Sequence, residues 1–192
     1  MAIELAQAPA SMATNELRQR VADRVESDPE LVIDPAFFHA LRAHLPAIAE
    51  VDIRSKRGRH MNEMTRFRYD AILRVGPSEA GPPPAVVPGT GLSLDAIGQL
   101  LNAGTSFTVT GIANARVSRD LAAVRLAGAT AGLDTAASVR QHVSALEAGG
   151  VDPDDLIAAA VGWDVDVRPA VDDPAGALDA TFRPAGTSRL QG

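Results

Sequence analysis

The chain has no cysteine, one tryptophan and one tyrosine, and only 4% of its 192 residues are aromatic. Without cysteine there is neither a disulfide nor a thiolate metal site, which is compatible with a reducing cytoplasm. His39, His44 and His142 are scattered over helical positions with no ligand spacing, so no metal site is expected. No apolar run approaches the roughly 18 residues that a membrane helix needs. The opening MAIELAQAPASMAT has no basic region followed by an apolar core, so no signal peptide is expected. These absences lead to the expectation of a soluble, cytoplasmic protein with no membrane partner. A net charge of −6 and the lack of stacking aromatics argue against a nucleic-acid partner. Also lacking is any strand pattern that runs into GxGxG; the GTG at residues 89–91 has no evident strand before it and reads as loop.

What is present is 46% apolar residues, largely Ala and Val, with 22% charged residues. That is a globular composition, of a kind common in high-GC bacteria, and a bacterial origin is expected. The chain centres on residues 51–75. Val51 and Ile53 alternate with Asp52 and Arg54, and Phe67, Tyr69, Ala71, Leu73 and Val75 alternate with Arg66, Arg68, Asp70 and Arg74. Period-2 alternation predicts two strands. The intervening residues 55–65 are polar and basic, and a loop of that kind between strands is a usual seat of function. Residues 54–68 carry most of the clustered positive charge and residues 152–179 a concentration of Asp. Such polarity can steer an anionic partner or join two halves of a complex.

In chain order, residues 1–13 show no periodicity and read as disordered. Residues 14–76 hold a helix from about Asn15 (buried face Leu17, Val21, Val25), a helix opened by Asp34-Pro35, and the strand pair. Residues 77–91, rich in Gly and Pro, read as a linker between two lobes. Residues 92–183 form a C-terminal lobe. In it Ser93 caps a helix, residues 106–111 form a strand, and a helix from about Ala115 buries Val117, Leu121 and Val124. Asn114 reads as the cap of that helix. A helix from about Ala136 and one capped by Asp152-Pro153 follow, then paired strands at 163–168 and 177–183. Residues 184–192 read as a frayed tail.

Several stretches carry a family resemblance. Asn62–Ile72, NEMTRFRYDAI, resembles the NELSxYRYxAV motif of the N-methyltransferase domains embedded in nonribosomal peptide synthetases. ELVIDPAFFHAL (30–41) and KRGRH (56–60) are similar to the segments that lead into it. GIANARVSRDLAAVRL (111–126) resembles that family's IPNARV helix start, and WDVDVRPAV with GALDATFR (163–183) its closing pair of strands. The likeness runs from about Leu17 to Arg183. Pro169 falls where the family closes its strand with SWAR, and a proline there indicates an edge strand.

The resemblance implies an α/β (α+β) fold: the terminal antiparallel hairpin of a class I methyltransferase-like sheet with two N-terminal helices, plus a C-terminal α/β lobe with a small antiparallel sheet. It implies methyl transfer from S-adenosylmethionine to an amine, with Asn62, Glu63, Arg68 and Tyr69 on the substrate side, where an amide, a carboxylate and a phenol orient an amine and take up its proton. Tyr69 shares a strand face with Phe67 and Leu73, so a core role and a site role are both open for it. Glu63 with His60 is a further acid-base pairing to weigh. The glycine-rich turn and ribose-binding acid of such enzymes have no counterpart among these residues. No cofactor-binding residue is therefore expected. The chain alone should be inactive, with S-adenosylmethionine bound only where a partner supplies the core. Two functions follow: the C-terminal portion of a split or truncated methyltransferase, or a non-catalytic adaptor or remnant that docks on a peptide or polyketide synthetase, touching the carrier's phosphopantetheine through the basic loop. The expected partner is a synthetase, a methyltransferase core, or a second copy, because an uncovered hairpin edge invites pairing.

Overall fold

The computed structural model describes residues 1–77, 83–128, 132–146, 149–171, 173 and 176–186. The elements in order are α1 (Ala2–Gln7), α2 (Thr14–Glu26), α3 (Pro35–His44), β1 (Ile48–Ser55), α4 (Glu63–Phe67), β2 (Tyr69–Val75) and β3 (Ala85–Pro88). They continue with α5 (Leu94–Leu101), β4 (Phe107–Ile112), α6 (Ser118–Gly128), α7 (Ala136–Ala145), α8 (Pro153–Ala159), β5 (Trp163–Pro169) and β6 (Leu178–Pro184). The chain divides into two compact units, one of residues 1–32 and 117–149, the other of 33–116 and 150–192. Both sides of the expected linker therefore fall in the same unit.

The first unit is helical: α1, α2, α6 and α7 enclose Leu5, Leu17, Ala123, Leu133, Ala136 and Val139. Residues 1–13, expected to be disordered, instead contain α1. Six residues cannot hold a helix in water on their own. Here Leu5 and Ala8 are buried, and Arg140 Nη1 donates to the carbonyls of Leu5 (2.6 Å) and Ala8 (2.9 Å), two acceptors left over at the helix end. On α6 the buried face is also displaced from expectation, with Ala123 and Ala127 inside and Val124 outside. Small residues let neighbouring helix backbones come close, which outweighs burying one larger side chain. On α2, Leu17 is buried and Val25 is exposed.

The second unit carries both sheets. β1 and β2 form an antiparallel hairpin in the register Ile53↔Ala71 and Val51↔Leu73. α3, capped by the Asp34 carboxylate on the Ala36 N–H (2.8 Å), covers its apolar face through Phe38 and Leu41, against Ile48, Val51 and Ile53. The second strand starts at Tyr69 rather than Arg66, because Glu63–Phe67 winds into α4 and leaves Phe67 exposed.

The other sheet is mixed, in the order β3-β4-β6-β5. β5 and β6 pair antiparallel as the alternation predicts, but offset by two residues from a Trp163-to-Phe182 match, so that Val165 stands opposite Phe182 and Val167 opposite Ala180, and Pro169 ends an edge strand. β3 lies in the stretch read as linker and runs parallel to β4. Ser93 Oγ accepts from the Ala96 N–H at 3.2 Å and caps α5, whose Ile97 enters the core beside Phe107, Val109, Leu156 and Phe182. Of the tail, residues 187–192 lie outside the described residues.

Candidate functional site

The sequence from β1 to β2 that carries the motif is held in place at several points. Asn62 Oδ1 accepts from the Thr65 N–H (3.1 Å) and Thr65 Oγ1 from the Asn62 N–H (3.4 Å), a reciprocal capping box that starts α4. Arg68 Nη2 donates to Glu63 Oε1 at 2.9 Å. The Tyr69 hydroxyl donates to the Ile33 carbonyl, and its ring meets Phe38 edge-on with centroids 6.2 Å apart. Burial, and then the charge of Asp34, pushes the Tyr69 phenol above its usual pKa. Of the four expected site residues, Asn62 and Tyr69 therefore have structural partners, while Glu63 and Arg68 form an exposed ion pair, the Glu63 side chain being 65% accessible. No hydrogen bond between the His60 ring and Glu63 is seen among the described residues.

The side chain that fixes this loop is one the sequence reading passed over. Arg116 is 3% exposed. Its Nη1 donates to the carbonyls of Lys56 (2.8 Å) and Thr65 (3.1 Å), and its Nη2 to that of Gly58 (2.9 Å). The same guanidinium grips Asp152 two-pronged, Nε to Oδ2 and Nη2 to Oδ1, both 2.9 Å, and reaches Asp154 Oδ2 at 2.8 Å. A planar five-donor group suits this arrangement and a lysine does not. Asn114 does not cap α6; its Oδ1 accepts from the Arg116 N–H (3.0 Å) and sets the backbone of that residue. In the opposite sense, Arg66 Nε donates to the Arg116 carbonyl at 3.1 Å.

Asp152 caps α8 by accepting from the Asp154 N–H at 2.8 Å, and Asp154 accepts from the Gly58 N–H and Arg57 Nε, both at 2.8 Å. Burial alone would raise both carboxyls. The hydrogen bonds from Arg116 and the Asp154 N–H for Asp152, and from Gly58, Arg57 and Arg116 for Asp154, outweigh it and hold both below the usual carboxylate range. Arg116 shows the mirror effect: burial lowers it, and the two aspartates more than reverse that. Arg59 adds an outer pair with Asp155 at 3.0 Å. The basic loop and the acidic segment, read as poles for an outside partner, thus meet within the chain. A second cluster joins β1 to β5, with Asp52 Oδ2 accepting from Arg54 Nε (2.7 Å) and Asp52 Oδ1 lying 3.1 Å from Arg168 Nη2.

Two clefts adjoin the network. One of about 660 Å³ opens between the Gly89–Asp95 turn and the segments 112–115 and 150–155. Here the reading of GTG is corrected: a strand does precede it, and β3, the GTG turn, α5 and β4 form a parallel βαβ unit. Gly89 donates its N–H to the Thr110 carbonyl at 2.6 Å, and a Cβ there would stand 2.8 Å from the same oxygen. The other cleft, about 320 Å³, is lined by Arg57, Gly58, Arg59, Asp154, Ile157 and Ala158. None of Asn62, Glu63, Arg68 or Tyr69 lines either one. Among the described residues there is no cluster of three or more His, Cys, Asp or Glu placed to hold a metal, and no helix long and apolar enough to cross a membrane.

No known protein-family model matches the chain. It is 46% identical over 81 residues, 42% of its length, to a chondramide synthase of Chondromyces crocatus. It is 41% identical over 66 residues, 34% of its length, to a nonribosomal peptide synthetase of Penicillium thymicola. A nonribosomal peptide synthetase of Emericella nidulans matches at 29% over 191 residues, covering 88% of the chain. The chain spans only 2%, 2% and 7% of the lengths of these proteins. The similarity relates it to segments of nonribosomal peptide synthetases. Most of the relatives are fungal, so the bacterial origin read from composition gains no support from them.

Proposed function

We propose that the chain is the substrate-side portion of a synthetase methyltransferase, serving methyl transfer from S-adenosylmethionine to an amine, with the glycine-rich cofactor core supplied from outside these residues. The observation that carries this reading is the reach of Arg116. It lies in the 111–126 stretch of the resemblance, bonds to carbonyls on both sides of the motif loop at Lys56, Gly58 and Thr65, and pairs with Asp152 and Asp154 just before the closing strands. The segments that resemble the methyltransferase family are thereby keyed to one another. S-adenosylmethionine, bound by the core, supplies the methyl group. From this chain, exposed Glu63, oriented by Arg68, takes the proton of the acceptor ammonium so that its nitrogen lone pair is free to attack. Asn62 and Tyr69, whose polar atoms are engaged, serve as positioning residues. The test is to add this chain to a separately expressed synthetase methyltransferase core and follow amine methylation. Activity should depend on the added chain, and Glu63→Gln should lower kcat by about 10²-fold with KM little changed. Equal activity of the core alone, or of the Gln variant, would reject the assignment.

A second reading, a non-catalytic adaptor for a synthetase carrier protein, is favoured by the engagement of Asn62 and Tyr69 and by Arg57 and Arg59, both about two-thirds exposed beside the smaller cleft. It would be selected over the first if the chain bound a phosphopantetheinylated carrier, lost that binding on Arg57→Ala with Arg59→Ala, and left methylation unaffected.

A further inference from the structure

We propose that β2 is a self-association edge: two copies of the chain pair their β2 strands antiparallel about a two-fold axis through Ile72, extending two hairpins into one four-stranded sheet. This does not rest on the methyltransferase reading.

Among the described residues β2 pairs with β1 alone, which leaves a seven-residue edge free of proline and lysine. Such an edge presents unpaired N–H and C=O groups. The other sheet has two edges and both are poorer templates: β3 is only four residues long and ends in Pro88, and β5 ends in Pro169 and is tied to β1 through Arg168 and Asp52. Val75 is 74% exposed and Leu73 is also exposed, so apolar surface lies along the β2 edge.

The choice of a second copy as occupant follows from the strand's own order of residues, Tyr-Asp-Ala-Ile-Leu-Arg-Val. Turned antiparallel on itself about Ile72, it sets Asp70 opposite Arg74 of the other copy and Arg74 opposite the other Asp70. These four lie on one sheet face with the two Ile72 side chains between them. On the other face Tyr69 meets Val75 and Ala71 meets Leu73, all apolar contacts. Directly opposed opposite charges and apolar pairs are what favour one register over its neighbours, and shifting by two residues would break both charge pairs. Asp70 and Arg74 are each about half exposed, and their partners within the chain, Lys56 and Glu50, lie at the surface and leave them accessible.

Because the chain has no native cysteine, one introduced thiol reports the axis. Opposed residues at the two-fold lie within disulfide reach. Ile72→Cys should therefore cross-link into a dimer of twice the 20.0 kDa chain under mild oxidation. Val75→Cys should not, since the two copies of that position stand six register steps, about 20 Å, apart. Asp70→Arg and Arg74→Asp should each weaken the dimer about tenfold or more by placing like charges opposite each other, and an equimolar mixture of the two should restore it. Equal cross-linking from both cysteine positions, or from neither, would overturn the proposal. So would failure of mixed, folded single variants to recover, or a wild-type monomer at about 100 µM by light scattering, a concentration at which even weak specific pairs populate. A monomer whose Ile72→Cys thiol is shielded only by an added methyltransferase core would give the edge to that core and likewise overturn it.

Discussion

Arg116→Ala is expected to destabilise the protein by about 3–5 kcal/mol, because it strips a buried partner from Asp152 and Asp154 and leaves the carbonyls of Lys56, Gly58 and Thr65 without their donor. Set against a total of roughly 5–15 kcal/mol for a domain, that is a large share. Urea unfolding followed by circular dichroism measures it. Arg116→Lys should recover little, since an ammonium with three donors on one nitrogen cannot serve acceptors on five residues. Arg183→Ala, at a half-exposed ion pair 3.8 Å from Asp166, should change stability by at most about 1 kcal/mol. The loss should also show locally, as faster exchange of the Gly58 amide that Asp154 now accepts from.

The same network sets an acid limb. Asp152 and Asp154 have folded pKa values held below the ordinary 3.8. Their contribution is accordingly complete above about pH 4 and is lost as pH falls through the depressed values. The gap between wild type and Arg116→Ala should be constant from pH 7 to 5 and narrow below pH 4. A variant within 1 kcal/mol of wild type at neutral pH would show that the guanidinium is not what holds the loop.

Gly150→Ala is the second large effect. Gly150 has φ +100°, and an added Cβ would fall 2.2 Å from the Ala113 carbonyl oxygen, 2.6 Å from its carbon and 3.0 Å from the Ala115 nitrogen. All three are backbone atoms, so no side chain can swing aside. They belong to the bridge in which Val151 donates to the Ala113 carbonyl (2.8 Å) and Ala115 to the Val151 carbonyl (3.2 Å), the contact that brings Asp152 to Arg116. Opening it should cost about 3 kcal/mol or more and carry the Arg116 network with it. Gly149→Ala, with nothing within 4 Å of its added Cβ, should be neutral or slightly stabilising. Thermal melts of the two variants side by side make the comparison. Equal melting temperatures would contradict the close approach.

Where local chemistry decides, the sequence was readable. Asp34-Pro35, Ser93 and Asp152-Pro153 mark helix starts that the structure places at those residues, since a cap and a proline at the first turn act within one turn of chain. That β5 and β6 pair antiparallel, with Val165, Val167, Ala180 and Phe182 on one face, followed from alternation, while the register, offset by two residues from a Trp163-to-Phe182 match, did not. What escaped depends on distant partners. α1 is held by burial of Leu5 and Ala8 and by Arg140, far along the chain, which ties its end, and β3 in a Gly/Pro-rich stretch is a strand paired with β4. Asn62 was read only for the substrate side, although its spacing to Thr65 is also that of a helix start, which the structure shows as a capping box. Arg116 gave one signal, a lone cation in the small, apolar run Gly111–Val117, and its acceptors stand 36 to 60 residues away. Charge polarity between residues 54–68 and 152–179 was visible, but that the two would pair internally was not.

The most direct measurement of the central claim is a calorimetric titration of S-adenosylmethionine into this chain alone, into a separately expressed methyltransferase core, and into the two together. No binding heat is expected for the chain, binding is expected for the core, and amine methylation only in the mixture. Micromolar binding by the chain alone would place a cofactor site within these residues and contradict the division of labour proposed for them.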